Sequence, residues 1–89
     1  MIRCYLGLID HAAGGFGIAF PDFPGCTAKG DTIAAAVEKG AEVLQAQVEH
    51  MQAHGVASPD PSALDAQVPS WLETGADHVR VRVPVRVRA

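Results

Sequence analysis

Along this chain apolar residues recur at every second position in three stretches and at every third or fourth in one. Ile2, Cys4, Leu6 and Leu8 alternate with Arg3, Tyr5 and Gly7 and predict a half-buried strand over about residues 2–9. Phe16, Ile18 and Phe20 make a second alternating face, which predicts a strand over 15–20, with Asp10-His11-Ala12-Ala13-Gly14-Gly15 as the hairpin loop between the two. The opposite face of that second strand carries only Gly15, Gly17 and Ala19, so its backbone is open to close approach by a neighbouring element or a partner.

From Thr32 the period becomes helical. Ile33, Val37, Gly40 with Ala41, Leu44, Val48 and Met51 recur at spacings of three and four, predicting one helix over about 32–54, roughly 34 Å long. Gly40 in mid-helix costs up to about 1 kcal/mol relative to alanine, and closer contact with the sheet is the expected compensation. Residues 55–77 contain Pro59, Pro61 and Pro69 and read as an irregular connection, with one helical turn near 62–67 and Trp71 and Leu72 pinning it to the body.

The last segment has the most regular alternation. Val79, Val81, Val83, Val85 and Val87 alternate with Arg80, Arg82, Pro84, Arg86 and Arg88, predicting a strand over about 78–88 with a valine face and an arginine face. Pro84 has no N–H, so it must face an unpaired side or a bulge, and a break in the ladder is expected there. One arrangement pairs Val79 to Val83 within the subunit and lets Val85 to Arg88 reach another. The valine face is thereby the expected oligomer strand of a homodimer or tetramer.

Between the second strand and the helix, backbone restriction replaces periodicity. Phe20 and Phe23 each precede a proline, Pro21 and Pro24, which excludes a helix here. Pro24-Gly25 supplies a type II turn with glycine at positive φ, after which a short strand over about 26–30 ends at Gly30. Asp31 or Thr32 then caps the helix. The expected fold is α+β, a three-stranded antiparallel sheet on one long helix followed by a C-terminal strand, β-β-β-α-β, in one domain over 1–89.

Composition adds two constraints. No run of eighteen apolar residues and no signal-peptide pattern occurs, so a cytoplasmic protein without membrane insertion is expected. Residues 1–79 hold three basic and ten acidic side chains, a charge of −7, whereas Arg80, Arg82, Arg86 and Arg88 make the last strand basic. Those arginines suit contact with phosphates, pairing with carboxylates of another subunit, or solubilisation of an edge strand.

Candidate chemistry is sparse. Asp10, Asp22 and Asp31 lie at strand ends or turns where a divalent metal could be held, yet each suits a local role in a loop, a turn or a cap. His50 and His54 share a helix face but lack the glutamate after the first histidine, and a third ligand, that a zinc hydrolase needs. Cys4 and Cys26 read as small apolar strand residues rather than a disulfide framework or a zinc site. No nucleophile elbow, phosphate loop or dinucleotide fingerprint is present, so no catalytic residue, cofactor or metal is expected.

The order of elements, with Phe16-Gly-Ile18-Ala-Phe20, Pro21-Asp22-Phe23-Pro24-Gly25-Cys26, Gly30-Asp31-Thr32 and Pro59-Asp60-Pro61-Ser62, resembles the N-terminal domain of HicB antitoxins over almost the whole chain. The resemblance implies a reduced ribonuclease H-like fold. It further implies a protein that masks the active site of HicA, a small basic toxin that cleaves messenger RNA, and an acidic body suits such a partner. Asp10, Asp22 and Phe23 are the candidate partner-binding residues. Many relatives carry a further DNA-binding domain, and this chain ends at Ala89 before one, so direct DNA binding is not expected. The alternative reading is an oligomeric HicB-like protein that binds another protein or ligand. A metal-dependent nuclease rests on fold analogy alone.

Overall fold

A computed structural model describes residues 1–69, 72 and 78–87 of the 89-residue chain. Its elements are β1 (Ile2–Ala12), β2 (Gly15–Ala19), β3 (Thr27–Gly30), α1 (Ile33–Ala53) and β4 (Val79–Arg86). All four strands join one antiparallel sheet in the order β3-β2-β1-β4. The β-β-β-α-β order is the expected one, and the last strand completes the sheet along β1. Trp71 and Arg88, read above as an anchor of the connection and as the end of the arginine face, lie outside the described residues.

The first hairpin is tighter than its sequence suggests. β1 continues through Asp10 and His11 to Ala12, which pairs with Gly15, and Gly14 turns the chain with φ +79°. A six-residue loop beginning at Asp10 is therefore replaced by a two-residue connection, because one glycine at positive φ is enough to reverse an antiparallel pair.

The helix lies on the face of β1 that carries Tyr5, Gly7 and Ile9, opposite to the face of Leu6 and Leu8. Tyr5, Ile9, Ile18, Phe20 and Val83 pack there with Leu44 and Val48 of α1. Burial of each large side chain contributes roughly 1.5–3 kcal/mol. α1 buries Ala36, Gly40, Leu44 and Val48 in a stripe of spacing four, whereas Ile33, expected on that stripe, is 39% exposed. A Cβ at Gly40 would stand 2.8 Å from Cγ2 of Ile18, and one at Gly7 would stand 2.9 Å from Cδ1 of the same residue. The two glycines let helix and sheet close around Ile18 and Phe20, which is the compensation expected for Gly40.

Leu6 and Leu8 are buried as well, on the outer face of the sheet. Arg80, opposite Leu8, donates to the carbonyls of Leu64 and Ala66, so the connection after α1 runs over this face. β1 is thus covered on both sides around Leu6 and Leu8, which face the connection.

β4 pairs with β1 without interruption from Ile2↔Arg86 to Ile9↔Val79. The expected break at Pro84 does not occur. The Val87 N–H donates to the Met1 carbonyl at 2.8 Å, so in the alternating antiparallel pattern Val85, Val83 and Val81 bond β1. Pro84 then presents its missing N–H to the open side. Val83, Val85 and Val87 lie in the chain's own core, and Val85 and Arg86 pair with β1 of the same chain.

Candidate partner-binding surface

The turn segment between β2 and β3 is built from two consecutive bonded turns. Phe23 N–H donates to Phe20 C=O at 2.9 Å, and Cys26 N–H donates to Phe23 C=O at 3.0 Å across Pro24-Gly25. Gly25 has φ +84°, as the type II turn requires. Pro24 and Gly25 are exposed at the tip, whereas Phe23 is buried and meets Tyr5 edge to face at a centroid distance of 4.8 Å. Phe23 is therefore a core anchor of the turn. At the helix start the hydroxyl of Thr32, rather than Asp31, accepts from Ala35 N–H at 3.0 Å.

Asp22 has an internal partner that sequence reasoning missed. Its Oδ2 accepts from the Ser62 N–H at 2.8 Å and its Oδ1 from the Ser62 hydroxyl at 2.5 Å. Beside it, the Pro59 carbonyl accepts from the Tyr5 hydroxyl at 2.8 Å and from Arg3 at 3.4 Å. The Pro-Asp-Phe-Pro and Pro-Asp-Pro-Ser motifs are thus two halves of one clamp holding the connection against the turn. Their signal in the sequence was the repeated Pro-Asp pair, whose spatial pairing no periodicity reveals. The Arg3–Asp60 ion pair, at 3.9 Å with a fully exposed aspartate side chain, adds little.

Asp10 stands elsewhere, on the outer face near the far end of β1. The register sets it opposite Gly17, and Gly17 opposite Lys29, so a carboxylate and an ammonium flank a strand position without a side chain. Asp10 Oδ1 accepts from the His11 N–H at 2.8 Å. A groove of about 300 Å³ lies here, with Leu8, Ala19 and Leu72 along it. The bare glycine–alanine face of β2 is its floor. Asp10 and the Asp22–Phe23 turn therefore do not form one contiguous site.

Charge is laid out by element. Glu38, Glu42 and Glu49 project from the solvent side of α1, and Asp31, Asp60 and Asp65 are exposed in connections. Arg82 and Arg86 are exposed on β4, but the guanidinium of Arg80 is engaged with Leu64, Ala66 and His78, so the arginine face is partly a structural tether. His50 and His54 stack at 4.3 Å, and His54 Nδ1 lies 2.9 Å from the His50 carbonyl at the helix end. Among the described residues no group of three or more His, Cys, Asp or Glu could hold a metal ion. Burial pushes the Cys26 thiol above its ordinary value, which leaves it protonated and unreactive at neutral pH.

Comparison with known proteins agrees with this architecture. One family, described as "HicB_like antitoxin of bacterial toxin-antitoxin system", matches residues 5–87. Among solved structures, a chain of a toxin–antitoxin complex from Streptococcus pneumoniae is similar at TM-score 0.80 and 19% identity, covering 97% of this chain and 70% of that one. The N-terminal domain of Burkholderia pseudomallei antitoxin HicB is similar at TM-score 0.70 and 24% identity, with 91% and 95% covered. A chain of the HicA3 and HicB3 toxin-antitoxin complex is similar at TM-score 0.65 and 22% identity, with both chains covered in full. At these identities the likeness is one of fold. A comparison with curated proteins finds none that matches.

Proposed function

The chain belongs to the HicB-like antitoxin family of bacterial toxin–antitoxin systems, and from that premise we propose that it neutralises a HicA-type messenger-RNA-cleaving toxin by covering the toxin's active site. The family match over residues 5–87 carries this reading. Supporting it is the charge of the body: a nuclease that grips RNA presents a positive surface, and carboxylates on Asp10, Asp31 and α1 complement it. The groove beside Asp10 is the proposed contact, since Gly17 and Ala19 let a partner's main chain approach the sheet. Asp22 and Phe23, committed to Ser62 and to Tyr5, hold the turn outside that groove. The protein itself acts without catalysis, in the cytoplasm, and no helix among the described residues is long and apolar enough to cross a membrane.

Co-expression with a HicA-type toxin from the same source tests the proposal. The antitoxin reading predicts that growth arrest by the toxin is relieved and that the two chains co-purify. Continued arrest with both proteins folded and abundant would leave the alternative, a HicB-like protein serving another partner. Self-association into a homodimer or tetramer belongs to the same proposal, with Met1 and Ile2, 64% and 65% exposed at one end of the sheet, as the apolar contact. Light scattering of Ile2→Lys should then report a smaller species.

A further inference from the structure

We infer that the Gln45 side chain closes the free edge of β4, so that a second copy of this chain cannot extend the sheet there. β4 is the last strand of the order β3-β2-β1-β4, and β1 takes the backbone groups of Val81, Val83, Val85 and Val87. Arg82, Pro84 and Arg86 consequently turn their backbone groups outward, which is the template that a foreign strand uses. At Arg86 that template is filled: Gln45 Oε1 accepts from the Arg86 N–H at 2.8 Å, and Gln45 Nε2 donates to the Arg86 carbonyl at 3.0 Å. The side-chain amide of α1 thus makes both bonds that an incoming strand would make. A further bond of Nε2 to Glu49 at 3.2 Å sets which end of the amide is the donor.

Two residues earlier, Pro84 offers no N–H. The C-terminal half of the edge is closed by these two devices in succession, and only the stretch around Arg80 and Arg82 remains. There a second copy pairing antiparallel about Val81 would set Arg82 of one chain opposite Arg80 of the other, and like charges directly opposite each other disfavour the pairing. Neither Gln45 nor Pro84 is required by the apolar pattern of its element. Gln45 lies between the buried Leu44 and the exposed Ala46, where a helix tolerates almost any residue.

Amide hydrogen exchange on the wild-type protein tests the first half. The Arg86 N–H should exchange about tenfold more slowly than the Arg82 N–H, and Gln45→Ala should remove that difference while leaving Val83 and Val85 protected. Equal exchange at Arg86 and Arg82 in the wild type would overturn the inference without any variant. Sedimentation of Gln45→Ala/Pro84→Val tests the second half. The double variant should form a species larger than the wild type, increasing with concentration, and a further Arg82→Pro should return it to wild-type size by removing an outward N–H. A folded double variant that sediments as the wild type does at every concentration would show that the edge is closed by something else. Both readouts are independent of toxin binding, so failure of the proposed function leaves them intact.

Discussion

Gly25 sits at φ +84° with no atom beyond its chain neighbours within 4 Å of where a Cβ would be, so a side chain there meets only the left-handed backbone. Gly25→Val should lower stability by roughly 1–2 kcal/mol in urea unfolding, and an unchanged midpoint would mean that the turn rearranges at no cost. Asp22 is a different kind of residue, since its two oxygens satisfy two donors of Ser62. Asp22→Ala leaves a half-buried N–H without its acceptor and should cost roughly 1–3 kcal/mol, more than Ser62→Ala, which removes only the hydroxyl bond. Equal losses would show that the hydroxyl carries the whole clamp. Cys26 gives a pH signature. Its thiol is raised by burial above the ordinary 9.0, so above that pH the unfolded chain releases a proton that the folded chain retains. Stability relative to Cys26→Ala should be level below pH 9.0 and fall as pH rises beyond it. A flat difference up to pH 10.5 would contradict the burial.

At the scale of elements, the outer face of β1 holds Leu6 and Leu8 under the connection, although that connection has no regular structure of its own. Leu8→Ala should therefore cost about 2–5 kcal/mol, the range for a buried leucine, in thermal or urea unfolding. A loss below about 1 kcal/mol would mean that the connection lies loosely over the sheet. The same elements show where a sequence speaks and where it is silent. α1 was legible because its spacing of three and four persists over 21 residues, and β4 because valine and arginine alternate. β1 reads in the sequence as half-buried, with Ile2, Cys4, Leu6 and Leu8 as its apolar face, whereas Tyr5 and Ile9 on the other face are buried as well; only the three-dimensional structure shows that the helix covers one face and that the connection near Leu64 and Ala66 lies over the other. The clamp at Asp22 and the amide of Gln45 were illegible for a related reason: single polar side chains bonded to residues 40 and 41 positions away leave no period to detect.

For the molecule as a whole, the acidic charge of residues 1–79 is the property that the proposed partner would sense first. Charge on the body sets the rate of encounter, while contacts in the groove set the lifetime of the complex. Asp22 is unsuitable as a probe of this effect, because a lysine there would break the clamp. Asp10, on the groove, and Glu38 and Glu42, exposed on α1, report steering without disturbing the core. The decisive measurement is stopped-flow association of a HicA-type toxin from the same source with the wild type, Asp10→Lys and Glu38→Lys/Glu42→Lys at low and physiological salt, with folding of each checked by circular dichroism. An antitoxin that captures its toxin electrostatically predicts association that slows with salt and with each reversal, dissociation that changes less, and the largest effect on lifetime for Asp10→Lys. Association indifferent to salt and to both variants, or no binding by the folded wild type, would contradict it.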